Sequence, residues 1–131
     1  MKKSLILTVV GTLVFVTGTI FAASSFQNTC SNIGFEYKGQ DPTLKAVCLK
    51  ANGTAQPSTL ILQGISNVNG KLVQGSGASS FQKSCGNIQI VVVNTSTVNL
   101  VASCRTAKGT FAAASLRLNG IGNNNGKLAQ K

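Results

Sequence analysis

The sequence predicts an all-β fold built from two pseudo-symmetric tandem repeats, and three observations support this prediction. Two segments recur along the chain at a nearly constant offset, and each of the two repeats that they define contains one pair of cysteines. Short runs rich in β-branched residues lie between clusters of Gly, Asn and Ser. Such runs are typical of strands joined by turns. Repetition at a fixed spacing indicates one structural unit that is used twice.

Two blocks of matching sequence define the repeat. Residues 23–33 align with residues 78–88 with eight identities in eleven positions, and residues 60–74 align with 116–130 with ten identities in fifteen. The offset is 55 in the first block and 56 in the second, so the second repeat carries one extra residue between its cysteines. We therefore divide a single domain, 24–131, into repeats 24–77 and 78–131, with Gly75-Ser76-Gly77 predicted to be a flexible joint.

The four cysteines are predicted to form one disulfide bond in each repeat. An even number of cysteines in a small exported chain indicates a disulfide framework, and four cysteines allow three pairings. Because equivalent units should carry equivalent bridges, the repeat selects Cys30–Cys48 and Cys85–Cys104. A zinc site is not indicated, since the chain has no CxxC pair and no histidine. We expect no metal and no cofactor.

Strand signals occupy most of the two repeats, and two Asn-Gly pairs mark hairpin turns. Asn69-Gly70 and Asn125-Gly126 suit the positive φ values of a type I′ turn. Short helical turns are predicted near Phe26 and Phe81, whose rings are expected to fill equivalent core positions. Residues 111–115 come nearest to a helical pattern, but they are too few for a helix. The predicted strands cover residues 33–37, 44–48, 60–62, 88–93, 98–104 and 116–118.

Residues 1–23 have the pattern of a cleaved secretory signal peptide. The positive start Met1-Lys2-Lys3 precedes a mostly apolar, uncharged run from Leu5 to Phe21 and the small pair Ala22-Ala23. The alternative is a transmembrane anchor, although the run is marginal for a span of ~20 residues and contains several Thr and Gly. We expect a secreted or periplasmic protein with no membrane span after cleavage.

The charge balance is strongly basic. Twelve Lys and Arg residues face two acids, Glu36 and Asp41, which gives a net charge of +10. Without Lys2 and Lys3, ten basic residues face two acids and the net charge is +8. Such a chain is attracted to polyanions, for example an envelope polysaccharide or an anionic lipid surface. Export argues against nucleic acid as the partner, and simple solubility remains the alternative explanation of the charge.

The sequence contains no constellation suited to catalysis. It has no histidine, and its two acids lie five residues apart in one repeat, without counterparts in the other. A glycosidase needs two carboxyl groups across a cleft, and a Ser or Thr nucleophile needs a base to activate it. We therefore expect a binding protein and not an enzyme. The numerous amide and hydroxyl side chains suit sugar hydroxyls, and they also suit turns in water.

Three motifs occur in the same order twice over residues 24–130, namely Ser-Phe-x-x-[Thr/Ser]-Cys, a second cysteine and Leu-x-Leu-x-x-Ile-x-Asn-x-Asn-Gly-x-Leu. This order of motifs resembles the cyanovirin-N homology family. The resemblance implies an elongated fold of two halves, each of which mixes strands from both repeats. It implies a metal-independent lectin for mannose-rich glycans of the Manα1-2Man type, with two pseudo-equivalent pockets, as a monomer or a domain-swapped dimer.

The resemblance also assigns residues to the two pockets. Ser66, Lys83 and Leu49 stand where the family pattern has acids, and asparagines replace its late aspartates. Neutral amides still bind sugars, but hydrogen bonds to charged groups contribute ~1.5–3 kcal/mol, against ~0.5–1.5 kcal/mol for neutral ones. The first pocket would contain Ser25, Asn28, Thr29, Lys50, Ala51, Asn52, Asn123, Asn124 and Asn125. The second would contain Ser66, Asn67, Asn69, Ser79, Ser80, Lys83, Ser84, Arg105 and Thr106.

Three functions remain open on these grounds. A glycan-binding lectin is the leading hypothesis. The others are a basic envelope protein that binds anionic polysaccharides or lipid surfaces with degenerate sugar pockets, and an inert structural or partner-binding module. We expect Asn67→Ala and Asn123→Ala each to weaken one pocket with little change in thermal stability. The alternative is that both side chains hold turns, a conformation that asparagine favours.

Overall fold

The computed structural model describes residues 22–131, so residues 1–21 of the predicted signal peptide lie outside the described residues. Within this range the chain forms ten strands and two short 3-10 turns, which confirms the predicted all-β fold. In chain order the elements are η1 (Phe26–Asn28), β1 (Cys30–Lys38), β2 (Asp41–Leu49), β3 (Ala55–Ile61), β4 (Gln63–Val68), β5 (Lys71–Ala78), η2 (Phe81–Lys83), β6 (Cys85–Asn94), β7 (Thr97–Arg105), β8 (Phe111–Arg117), β9 (Ile121–Asn124) and β10 (Lys127–Gln130).

Each repeat contributes a three-stranded antiparallel sheet followed by a hairpin. The sheets are β1-β2-β3 and β6-β7-β8, and the hairpins are β4-β5 and β9-β10. The extra residue of the second repeat lies at the end of the β6-β7 pair. There Val92 pairs with Val98 and Asn94 pairs with Thr97, which leaves Val93 as a bulge. A bulge accommodates one extra residue without changing the topology of the pair.

The two halves exchange their hairpins, as the resemblance implies. Hairpin β9-β10 packs on β3 of the first repeat, and hairpin β4-β5 packs on β8 of the second. Equivalent backbone hydrogen bonds fix both crossings: the Ser25 amide donates to the Ile121 carbonyl at 2.9 Å, and the Ser80 amide donates to the Ile65 carbonyl at 2.9 Å. Each half therefore combines the sheet of one repeat with the hairpin of the other.

One core runs through both halves and contains both disulfide bonds. Phe26 and Phe81 are fully buried at equivalent positions, as predicted. The predicted pairing is also confirmed, because Cys30 bonds to Cys48 and Cys85 bonds to Cys104. Each bridge joins residues that lie opposite each other on adjacent strands, near the 3-10 turn of its repeat.

The prediction of a flexible joint at Gly75-Ser76-Gly77 is wrong. These residues continue β5, and Ala78 at its end pairs with Gln63 of β4. The physical reason is the close approach of the two strands: a side chain on Gly64 (φ +75°) would collide with the carbonyl of Gly75. Glycine permits this contact between backbones, so here it serves packing and not flexibility. Residues 111–115 belong to strand β8.

Candidate functional site

Two Asn-x-Asn-Gly turns lie at the tips of the exchanged hairpins. Asn69 and Gly70 have φ values of 50° and 85°, and Asn125 and Gly126 have φ values of 50° and 89°. Both residues of each pair thus adopt the positive φ that a type I′ turn requires. Each turn lies against the three-stranded sheet of the other repeat, where its side chains meet the segment that follows a disulfide-bonded cysteine.

In the second half the turn is held by hydrogen bonds from its asparagines. The Asn67 amide nitrogen donates to Ser84 Oγ at 2.8 Å and to the Arg105 carbonyl at 3.0 Å. Its Oδ1 accepts from the Gly70 amide at 2.8 Å. Asn69 Oδ1 accepts from the Ala107 amide at 2.8 Å. We call this arrangement site B and define it by residues 66–70, 80–84 and 105–108.

The first half repeats this arrangement at equivalent positions. The Asn123 amide nitrogen donates to Thr29 Oγ1 and to the Leu49 carbonyl, both at 2.9 Å. Its Oδ1 accepts from the Gly126 amide at 2.8 Å, and Asn125 Oδ1 accepts from the Ala51 amide at 2.8 Å. We call this arrangement site A and define it by residues 25–29, 49–52 and 122–126. Each site therefore joins a 3-10 turn, a loop after a cysteine and an exchanged hairpin.

These hydrogen bonds favour the turn-holding role for Asn67 and Asn123. Both protons of each amide nitrogen are donated within the protein, and each Oδ1 accepts a backbone amide. A primary amide has two protons to donate, so a sugar could use these nitrogens only by displacing a bond of the fold. The Asn67 and Asn123 side chains therefore fix the shape of the sites, and we expect neighbouring polar groups to contact a ligand.

We therefore expect Asn123→Ala to lower the melting temperature of the protein markedly. The substitution removes three hydrogen bonds. Two of the three bonds are exposed, so we take values near the lower end of ~0.5–1.5 kcal/mol for each bond. The free energy of unfolding should then fall by about 2 kcal/mol, or about 8–16 °C in melting temperature. Thermal unfolding followed by circular dichroism measures this shift, and Asn67→Ala should behave in the same way.

Asn124→Ala is the matched control for this prediction. Asn124 lies next to Asn123 in the same hairpin, and its side chain is exposed. Surface substitutions of this kind change the free energy of unfolding by ~0.5 kcal/mol or less. Equal melting temperatures for the two variants would contradict the turn-holding role and restore the expectation that Asn123 acts only in binding.

Gly70 gives a second prediction, since it lies where the turn of site B touches the neighbouring sheet. A Cβ on Gly70 would lie 2.9 Å from Thr106 Cγ2 and 3.3 Å from the Ala112 Cβ. Gly70→Ala thus combines an unfavourable φ of +85° with a steric clash. We expect the free energy of unfolding to fall by about 2–3 kcal/mol, because backbone strain of ~1–2 kcal/mol adds to overpacking of ~1 kcal/mol or more.

Gly109→Ala is the control that separates these two causes. Gly109 has a φ of +86°, nearly the same as that of Gly70, but a Cβ there would meet nothing within 4 Å. Chemical unfolding of both variants should show a larger loss of stability for Gly70→Ala. A loss of the same size in both would mean that the turn does not pack against the sheet as described.

The structure brings most predicted pocket residues together, but the side chains of Asn28 and Ser79 bond to groups outside the sites. The Asn28 amide nitrogen donates to the Thr95 carbonyl, between β6 and β7, at 3.1 Å. Ser79 is only 9 % exposed, and its hydroxyl donates to the Leu62 carbonyl at 2.6 Å and accepts from the Ile65 amide at 3.0 Å. This side chain ties the start of the second repeat to the β3-β4 junction, so we leave it out of site B. The exposed members of the two sites are Ser25, Asn28, Thr29, Asn52, Asn124, Asn125, Asn69, Ser80, Lys83 and Arg105, while Lys50, Ser66, Ser84, Thr106, Asn67 and Asn123 are partly exposed.

Two grooves accompany this geometry. One, of about 500 Å³, opens beside site A and is lined in part by Ser25, Asn123 and Asn124. The other, of about 970 Å³, lies between β3 and β8 around Leu60 and Leu116, and it contains no residue of either predicted pocket. The larger groove is mainly apolar and lacks the hydrogen-bonded unit that the two repeats share. Sites A and B are therefore the better candidates for binding a polar ligand.

Carboxylates do not contribute to either site. Glu36 in β1 and Asp41 in β2 both belong to the first hairpin of the chain, outside the segments that define the sites. Among residues 22–131 there is no group of three or more His, Cys, Asp or Glu that could hold a metal ion. Over the same residues, no helix has the length and apolar character needed to cross a membrane.

Sequence reasoning missed several groups at the sites. The backbone partners of the asparagines, such as the Ala51 and Ala107 amides, carry no sequence signal of their own. Two cations were also missed, namely Lys108 in site B and Lys71 next to it. Phe111 is a further omission: its ring lies 5.4 Å from the Arg105 guanidinium carbon, and it is 58 % exposed. Extending the repeat alignment beyond the pocket motifs would have shown these differences between the two sites.

Comparison with known proteins points to one family. The CVNH domain profile matches residues 81–130, which contain most of the second repeat. The solved structure of a microvirin–mannobiose complex is 29% identical, with a TM-score of 0.61, and the match covers 82% of this chain and 99% of that one. The CVNH protein of T. borchii is 29% identical, with a TM-score of 0.62 and the same coverage of both chains.

A designed cyanovirin-N homolog lectin is 27% identical, with a TM-score of 0.61, and the match covers 82% of this chain and 99% of that one. Comparison with curated proteins gave no significant match.

Proposed function

We propose that this chain, as a member of the cyanovirin-N homology (CVNH) family, is a carbohydrate-binding lectin that uses sites A and B and carries out no catalysis. One observation supports this most strongly. The two repeats build the same hydrogen-bonded unit twice, through equivalent asparagines, although seven of the fourteen equivalent positions in the two sites differ.

The polar groups around each unit suit a sugar. At site A, exposed hydroxyls and amides of Ser25, Asn124 and Asn125 lie near a groove of about 500 Å³. Pockets of ~300–1,000 Å³ with a few placed polar groups are typical of small-ligand sites. Since the asparagine turn is fixed by the fold, these groups lose little freedom when a sugar binds, and pre-organisation of this kind raises affinity.

We further propose that mannose-rich glycans are the ligands of site A. The structure of microvirin has been solved with mannobiose, and 99% of the microvirin chain matches this chain. Leu49 and Asn125 stand where acidic residues are expected in the family, so the sugar hydroxyls would meet neutral groups. We expect weaker binding than acids would allow, because charge-assisted hydrogen bonds are stronger than neutral ones. Secretion through a cleaved signal peptide completes the proposal.

A glycan array probed with the oxidised protein at about 0.01 M and about 1 M salt tests this function. The screening length falls from ~30 Å to ~3 Å over this range, so binding to a neutral glycan should persist while general attraction to polyanions should fade. A signal on oligomannose at both salt concentrations is the expected result. If the protein binds none of the neutral glycans at either salt concentration, the lectin proposal is wrong.

A further inference from the structure

Sites A and B share one backbone arrangement but differ in charge. Four basic residues lie in or next to site B: Lys83 in η2, Arg105 at the end of β7 and Lys108 in the following loop belong to it, and Lys71 directly follows its turn. The equivalent positions of site A hold Lys127, Asn28, Leu49 and Asn52. Site A gains one cation, Lys50, where site B has Thr106. In and directly after the segments that define the sites, site B thus has four cations and site A has two, and Lys131 lines the groove beside site A.

Hydrogen bonds bring the segments that carry these cations together. The Arg105 amide donates to the Ser84 carbonyl at 2.9 Å, which joins the end of β7 to the residue after Lys83. Asn69 accepts from the Ala107 amide at 2.8 Å, which places the loop of Lys108 against the turn that precedes Lys71. Neither acid of the described chain lies in these segments. Positive charge at site B is therefore concentrated and has no carboxylate to offset it.

Arg105 is also held in a defined place. Its guanidinium carbon lies 5.4 Å from the centre of the Phe111 ring, and the two residues face each other on β7 and β8. The equivalent pair in site A is Leu49 and Ala55. A guanidinium group that rests on a ring keeps its planar set of donors free for a ligand, and this set matches the oxygens of phosphate, sulfate or carboxylate groups.

From these differences we infer that site B binds anionic saccharides, whereas site A binds neutral ones. The inference rests on the proposed lectin function and specifies the ligand class of one of its two sites. The shared chemistry of the site B ligand is a sugar that carries a phosphate, sulfate or carboxylate group. Arg105 would contact the anionic group, and Lys83 and Lys108 would add to the local positive potential. One chain would then join a neutral and an anionic glycan.

Chemical-shift mapping on the 15N-labelled, oxidised protein tests this assignment. The probes are a neutral oligomannose, the same oligomannose carrying mannose 6-phosphate, and a heparin hexasaccharide. We expect the phosphorylated sugar to shift the amides of Ser84, Thr106 and Ala107 at lower concentration than the neutral sugar does, by about tenfold or more at low salt. Titration with the heparin hexasaccharide shows whether a sugar that carries sulfate and carboxylate groups shifts the same amides.

The repeat itself supplies the variant that should abolish this preference. Lys83→Asn, Arg105→Leu and Lys108→Asn together place the residues of site A at the equivalent positions of site B. This variant should bind the phosphorylated and neutral sugars at site B with affinities within about twofold of each other, while site A is unchanged. A matched control with Lys38→Asn, Lys45→Asn and Arg117→Leu removes the same charge from strands outside both sites and should keep the preference.

The outcomes separate this inference from the proposed function. If neutral oligomannose binds at both sites and the phosphorylated sugar shows no preference for site B, the inference is wrong and the lectin function stands. If the control variant loses the preference as fully as the site B variant does, the attraction comes from net charge, and the inference is again wrong. If no probe shifts the amides of either site, both the inference and the lectin function are wrong.

Discussion

Phe81→Ala should lower the free energy of unfolding by about 3–5 kcal/mol, the usual cost of removing a buried phenylalanine. The ring of Phe81 is fully buried and contacts Phe35 edge-on, with 6.5 Å between the ring centroids. It lies at the start of η2, two residues before Lys83 of site B. We therefore expect this substitution to weaken ligand binding at site B as well as global stability.

Phe26→Ala and Phe111→Ala are the matched controls, and denaturant unfolding measures all three variants. Phe26 is the fully buried equivalent in the first repeat. Its loss should cost less than that of Phe81 by about 0.5–1.5 kcal/mol, the contribution of an aromatic pair. Phe111 is 58 % exposed, so Phe111→Ala should cost about 1 kcal/mol or less. A similar loss of stability for Phe81 and Phe111 would contradict the described core.

Removal of one disulfide bond has the other large expected effect. Cys85 and Cys104 are separated by 19 residues in sequence. Closing a loop of this length stabilises a protein by about 3 kcal/mol in the chain-entropy treatment. The double variant Cys85→Ala, Cys104→Ala should therefore melt at least about 12 °C below the parent protein. Cys30→Ala, Cys48→Ala should show a similar shift, because its loop of 18 residues is nearly the same length.

Reduction of both bonds together should leave the protein unfolded or nearly so at room temperature. The combined loss of about 6 kcal/mol is comparable with the total stability of many domains, ~5–15 kcal/mol. Free-thiol titration before and after reduction provides the control, and it should detect no thiol in the oxidised protein. A reduced protein that melts at the same temperature as the oxidised one would contradict the expected stabilisation.

Local sequence patterns predicted much of the fold. The Asn-Gly turns follow from a conformational preference of two adjacent residues, and both turns are present. The repeat predicted equivalent core positions for Phe26 and Phe81, and it selected the disulfide pairing. Both predictions follow because equivalent residues of the two repeats should have equivalent structural roles. Strand signals were correct where β-branched residues alternate, although the strands extend beyond the predicted runs.

Long-range partners could not be read from the sequence in this way. The Asn123 side chain bonds to Leu49, 74 residues away, and Asn67 bonds to Arg105, 38 residues away. Such pairs arise only because the two hairpins are exchanged, and no local pattern indicates an exchange. The resemblance to a known family implied it, and the structure confirmed it. For the same reason, only the three-dimensional structure distinguishes a binding role from a turn-holding role for these asparagines.

The glycines between the repeats show a second limit of local reasoning. Gly75-Ser76-Gly77 has the composition of a linker, but it lies within β5, as an irregularity between residues Gln74 and Ala78, which both pair with β4. Composition reports what a segment can do in isolation, whereas pairing depends on a neighbour. The charge difference between sites A and B shows a different limit. It was present in the sequence but became meaningful only when the loops of Arg105 and Lys108 met the Asn67–Gly70 turn.

The most direct test of the central claim is a titration of the 15N-labelled, oxidised protein with mannobiose at about 1 M salt, where charges are screened within ~3 Å. We predict saturable shifts of the amides of Thr29, Ala51 and Asn124 in site A, with smaller shifts at site B. Shifts confined to the larger groove around Leu60 and Leu116, or no saturable shift in either site, would contradict the claim that the repeated asparagine unit forms the sugar-binding sites.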